Sequence, residues 1–191
     1  MSGLGIAFKE WAVICRALAE GRQALILRKG GIAEEGGVFR PDHVRFWLFP
    51  TYLHQKSDGL KPVAAATLAE VERDRPPGHV IRFGHFVEVP AAFRADRLEQ
   101  VLDLDPFHVW SEATVRQRFA YREPGLYVLP ARAYVAPTSV EVPNRPEYEG
   151  CKTWVDLEKE IPATGTPVLS DRAFADVLEA IDRAMHPTGM A

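Results

Sequence analysis

The chain has 191 residues, of which 47% are apolar and 26% charged, and its formal net charge is −3. This balance fits one well-buried domain and excludes global disorder. No apolar run approaches the roughly 20 residues needed to span a bilayer, and the net charge supplies no overall pull toward nucleic acid or an anionic membrane.

The charge is unevenly spread. Residues 1–62 hold nine Lys/Arg against six Asp/Glu, whereas the rest hold fourteen against twenty. An anionic partner is therefore expected on the first third of the chain. The N-terminus "MSGLGIAFKEW" lacks a basic stretch followed by an apolar one, so no signal peptide is read there. Cys15 and Cys151 are read as reduced thiols of a cytoplasmic protein.

In "AFKEWAVICRALAEG", Phe8, Trp11, Cys15 and Leu18 recur at helical spacing, and the stretch is expected to be a helix stopped by Gly21. "QALILR" (23–28) reads as a strand buried on both faces, ended by Gly30-Gly31. "HVRFWLFP" (43–50) reads as an aromatic strand. "PVAAATLAEVERDR" is a helix with Pro62 in its first turn, and "RPPG" (75–78) is the best internal boundary. "HVIRFGHFVEV" (79–89) is a strand in which Gly84 signals a bulge or a close backbone approach. A short helix follows in "RADRLEQVLDL". Ser111 caps another in "SEATVRQRFAY". "GLYVLPARAYVAP" is a strand or a kinked pair, and "TSVEVPNRPEYEGCKTW" is expected to be a proline-rich excursion. In "SDRAFADVLEAIDRAM", Ser170 caps a helix whose apolar stripe is Phe174, Val177, Leu178, Ile181 and Met185. Residues 186–191 are expected to form a flexible tail. Helices and strands alternate without a strict βαβ rhythm. The expected class is α+β, a single domain over 1–191 with a mixed or mostly antiparallel sheet and flanking helices.

Common catalytic signatures are missing. There is no paired Cys/His zinc spacing, no phosphate-binding Gly-rich loop ending in Lys-Ser/Thr, no nucleophile elbow, and no Glu-x-Lys of a metal nuclease. No metal and no cofactor are expected.

Three constellations remain. In "LILRKGG", amides around Gly30 and Gly31 can form an anion-binding nest to which Arg28 and Lys29 add charge; the alternative is a strand end with a glycine turn. In "RFWLFPTYLHQ", Arg45, Trp47 and Phe49 share one strand face. They can stack a base and pair a phosphate, or Trp47 and Phe49 can fill the core while Arg45 reaches the rim. Thr51, His54 and Gln55 follow in a loop that suits a polar pocket floor, with His54 as a candidate acid or base. In "EYEGCKTW", Cys151 beside Lys152 lacks an identifiable base and reads better as packing. His79 and His85 lie on one strand face, too far apart for one metal, and read as structural.

Taken together, "FKEW", "AL-EGRQ-L-LRKGGI", "F-LFPT--HQ" and "Y-GCKTWV-L" resemble the bacterial family called domain of unknown function 1802. The resemblance covers most of the chain. It implies an association with restriction–modification or DNA metabolism, and so a restriction-type endonuclease as a partner. A helix carrying a Trp, then "GRQ", then a strand ending in Arg is also similar to the opening of PUA-like β-barrels (the ASCH and EVE domains), which implies binding of RNA or modified bases.

Three function classes follow. The first is a DNA-, RNA- or nucleotide-binding domain, with Arg28, Lys29, Gly30 and Gly31 on phosphate and Arg45, Trp47, Thr51, His54 and Gln55 on the base or sugar. The second is a small enzyme on a phosphorylated or nucleotide substrate, with Lys9, Glu10 and His54 in acid–base roles. The third is a non-catalytic accessory subunit. The discriminating observation is whether Lys9, Arg28, Arg45 and His54 meet in one cleft.

Overall fold

The computed structural model describes residues 3–29, 43–150 and 152–187. Gly30, Gly31 and Cys151 lie outside the described residues, as does most of the expected tail, so the glycine nest and the Cys151 reading have no structural counterpart.

The first element is a strand, β1 (Gly3–Trp11), and the helix α1 begins only at Ala12 and runs to Ala19. The expected helix over "AFKEW" is thereby corrected. Both faces of β1 are buried: Ala7 packs into one core and Phe8 into another. A strand covered on both sides loses the polar/apolar alternation that would mark it, and its bulky residues then mimic helical spacing.

The remaining strands are β2 (Leu25–Arg28), β3 (Arg45–Thr51), β4 (Val80–Glu88), β5 (Phe93–Ala95), β6 (Leu126–Pro130), β7 (Arg132–Pro143), β8 (Trp154–Pro162) and β9 (Thr166–Pro167). They form a six-stranded sheet in the order β8-β1-β3-β4-β7-β9 and a three-stranded sheet in the order β2-β6-β5. Only β1 and β3 pair in parallel; the other pairs among the described strands are antiparallel. The fold is α+β with a mostly antiparallel sheet and flanking helices.

β7 is longer than the sequence suggests. Residues 138–143 continue it along β4 as far as the Val80–Pro143 pair, so the proline-rich excursion begins only at Asn144. The alternation of Val140 and Val142 around Glu141 is the strand signal in that stretch. At Gly84 the β4–β7 register shifts. Ile81, Phe83 and Phe86 therefore all face one core while Val87 faces the other, which puts His85 on the side where α1 lies.

Two cores flank the large sheet. The first holds Phe8, Phe46, Leu48 and Val87 together with α1, the three-stranded sheet and helix α5 (Asp171–Met185). The second holds Trp47, Phe49, Phe83 and Phe86 and is closed by Tyr148, Val155, Ile161 and Ala163 from the chain after β7. The other helices are α2 (Pro62–Arg73), α3 (Leu98–Leu102) and α4 (Glu112–Ala120). Ser111 Oγ accepts from Thr114 N, and Ser170 Oγ accepts from Ala173 N, so both expected caps form. No helix among the described residues is long and apolar enough to cross a membrane.

Candidate functional site

β1 and β3 lie side by side and in parallel, with Lys9 opposite Phe49 and Glu10 opposite Pro50. Their ends, the tip of β2 and one face of α4 open onto a cleft of about 720 Å³. Its lining includes Lys9, Glu10, Arg28, Thr51 and His54, drawn from three separate motifs of the sequence.

Arg28 ends β2. Its Nη2 donates to the Lys9 carbonyl at 2.7 Å, and its guanidinium sits 4.3 Å from the centroid of the Phe8 ring. Its Nε is buried and has no hydrogen-bond partner among the described residues. Glu10 is only 5% exposed. One carboxylate oxygen accepts from Trp11 N at 2.8 Å. The Glu10 carbonyl accepts from Thr51 Oγ1 at 3.0 Å and from Cys15 Sγ at 3.8 Å. Lys9 Nζ donates to the carbonyls of Tyr148 and Gly150, tying the segment after β7 to the cleft wall. His54 is exposed at the rim with φ of 65°, a left-handed conformation in which His is enriched among non-glycine residues. Among the described residues no hydrogen bond joins it to Glu10.

A further cation of the cleft, Arg118, was not singled out from the sequence. Arg118 projects from α4, with its guanidinium 3.7 Å from the Trp110 ring centroid and 5.8 Å from that of Trp11. Burial pulls its pKa below the ordinary arginine value; nearby Glu10 opposes that shift and Arg28 adds to it. A helical wheel carries the signal. Val115 and Phe119 are buried, and Arg118 shares their face at i+3 from Val115. Arg116 lies on the exposed side, paired with Glu112. Arg75, Arg82 and Lys152 also line the cleft, and Arg75 sits 5.0 Å from the Tyr52 ring centroid. In all, six Lys or Arg line the cleft against the carboxylates of Glu10 and Glu149, and of the six, Arg82 is paired with Glu141 outside it. Such a surplus between apolar walls focuses a positive field on an entering anion.

Four expected site residues lie elsewhere. Lys29 Nζ donates to the carbonyls of Phe119 (2.9 Å), Glu123 and Gly125 (2.9 Å), so it closes the end of α4. Burial lowers its pKa, and Arg94 adds to that. Arg45 pairs with Glu88 at 3.2 Å, donates to the Ala163 carbonyl at 2.9 Å and stacks on Phe86. Trp47 is fully buried against Phe83 and Phe86, and its Nε1 donates to the Ile161 carbonyl. Both serve the second core, because the chain after β7 covers that face of β3. Gln55 Oε1 accepts from Val13 N at 2.9 Å and so caps α1, while its Nε2 donates to Glu72. Among the described residues no group of three or more His, Cys, Asp or Glu is placed to hold a metal ion.

A family model described as "Domain of unknown function (DUF1802)" matches residues 7–180. No curated protein matches the chain. Among solved structures, the chain is similar to ASCH from Zymomonas mobilis, at 13% identity and a TM-score of 0.48, over 92% of this chain and 93% of that one. A serine-to-alanine variant of the same Z. mobilis protein matches at 12% identity and a TM-score of 0.45, over 81% and 88% of the two chains. A tyrosine-to-phenylalanine variant matches at 13% and 0.44, over 81% and 90%. These are resemblances of fold.

Proposed function

We propose that this chain, which belongs to the Domain of unknown function (DUF1802) family, binds a nucleic acid or nucleotide in its main cleft. The observation that carries this reading is the gathering of Lys9, Arg28 and Arg118 around one cleft with Arg75, Arg82 and Lys152. Arginine suits phosphate because its planar fork pairs two oxygens at once. Trp11 beside Arg118 and Tyr52 beside Arg75 line the cleft and add flat surfaces of the kind on which bases stack. Arg28, Thr51 and His54 contribute the polar wall.

The test is a fluorescence-anisotropy titration with single-stranded DNA and RNA oligonucleotides across a range of salt. Three phosphate contacts predict a slope of log K against log salt of about −2 for a single strand. Absent or salt-independent binding sinks the proposal. A tie to restriction–modification calls for preference for DNA, and the same titrations read it.

A second reading is favoured by one observation: the Glu10 carboxylate and the His54 imidazole line the same cleft. On that reading the chain is an enzyme on a phosphorylated or nucleotide substrate, with Lys9, Glu10 and His54 in acid–base roles. Turnover of a nucleotide that disappears in Glu10→Gln and His54→Ala, with binding retained, supports it; binding without turnover of any such substrate removes it.

A further inference from the structure

A second cavity of about 340 Å³ abuts the main cleft, and Pro50, Tyr52 and Arg82 line both. The two spaces therefore meet across a saddle built from the end of β3 and one residue of β4. Their chemistry differs. The main cleft has a surplus of cations. In the second cavity each cation is already paired: Arg16 with Asp74 at 3.0 Å, and Arg82 with Glu141 at 2.9 Å. Its remaining polar groups are neutral at neutral pH. They are Ser139, the Cys15 thiol, the Tyr52 hydroxyl and His85, which burial holds at a pKa of about 4. The Gly84 register shift puts His85 on the side of the sheet where α1 lies.

A charged cleft joined to a neutral polar cavity is unsuited to two phosphates but suited to a phosphate and a base. We infer that the second cavity is the subsite for the nucleobase adjoining the nucleotide held in the main cleft, so that the ligand is a single strand crossing the Tyr52–Arg82 saddle. The inference rests on the nucleic-acid reading above and adds to it a minimum ligand length and a second point of contact. The neutral His85 ring offers one donor and one acceptor to a base edge, and Tyr52 offers a stacking face at the saddle.

The experiment compares a 5′-phosphorylated mononucleotide with a mixed-sequence tetranucleotide, in DNA and RNA form, by competition titration. One additional base contact predicts that the tetranucleotide binds about tenfold tighter. Ser139→Trp fills the cavity from an exposed strand position. It is expected to erase that gain while mononucleotide affinity, set by the main cleft, moves less than about twofold. His85→Ala is a second variant, expected to reduce the gain without blocking the space. A tetranucleotide no tighter than the mononucleotide overturns the subsite alone, as does a length gain that survives in both variants. Absence of any binding to the wild-type protein overturns the functional reading, and the subsite with it.

Discussion

The Arg118 guanidinium lies 3.7 Å from the centroid of the Trp110 ring. That pairing holds a cation at the cleft wall through the ring's quadrupole, and among the described residues no ion pair takes up its charge. Arg118→Met is expected to weaken tetranucleotide binding about tenfold and to flatten the salt slope by about 1. It should also lower stability by about 1–2 kcal/mol, the range for a partly desolvated cation–π contact. Arg118→Lys keeps the charge but loses the planar stack, and should fall between the two. Anisotropy titrations and urea denaturation read both effects. Unchanged binding in Arg118→Met contradicts its place at the site.

Lys29 separates structure from function at a neighbouring position. Its ammonium gathers three carbonyls at and beyond the end of α4, where a cation also favours the helix dipole. Lys29→Met leaves those carbonyls short of a charged donor and should cost about 2 kcal/mol. Ligand affinity of the folded variant should stay within about twofold of wild type. A large loss of affinity at unchanged stability would return Lys29 to the phosphate contacts that the sequence suggested.

His108 is 2% exposed, and burial pushes its pKa down to about 4, with Lys61 adding to the shift and Asp105 opposing it. The folded protein thus keeps the ring neutral down to about pH 4, whereas the unfolded chain protonates it near 6.5. Between those values the unfolded state binds more protons, so stability rises with pH. This contribution is fully present above about pH 6.5 and is lost as pH falls toward 4; at pH 5 the loss is about 2 kcal/mol. His85 titrates in the same window. In urea melts at pH 7.5 and 5.0, His108→Leu should show a smaller drop than wild type by about 2 kcal/mol. An equal drop in both proteins rules His108 out as its source.

The parts of the fold legible in the sequence are those with one wet face, such as α5, or short apolar runs punctuated by turn residues, such as β2. α5 has one apolar stripe and a serine cap, and the Gly84 irregularity in β4 is announced by a glycine inside an otherwise apolar strand. β1 is illegible because both its faces are dry, so period 2 carries no polarity signal. The site is half legible for a related reason. Lys9, Glu10, Arg28, Thr51 and His54 follow from motifs that end at strand tips, where side chains meet open space. Arg45 and Trp47 look equally exposed on a bare strand. Only Tyr148, Val155, Ile161 and Ala163, which cover that face of β3, turn Trp47 into core, while Glu88 and the Ala163 carbonyl hold Arg45 at its rim. Arg118 hides among several arginines of α4 and is distinguished by its helical phase with Val115 and Phe119.

That covering chain depends on a close approach at Gly165, between β8 and β9. A methyl group there would lie 2.5 Å from the Val135 carbonyl oxygen and 3.0 Å from Cε1 of Phe86. The first contact is with backbone that is itself paired to β9 through Val135 and Thr166, so it cannot swing aside as a side-chain tip would. Gly165→Ala is expected to destabilise the protein by about 2 kcal/mol, within the range for overpacking a fixed site. The strain should fall on the β7–β9 pairing and on the Phe86 side of the second core. Gly78→Ala is the matched control, because a methyl there meets nothing within 4 Å, and its stability should stay within about 0.5 kcal/mol of wild type. Chemical denaturation of the two variants side by side reads the difference. Equal stabilities would mean that the chain closing the second core shifts freely, and that the burial of Trp47 does not depend on this contact.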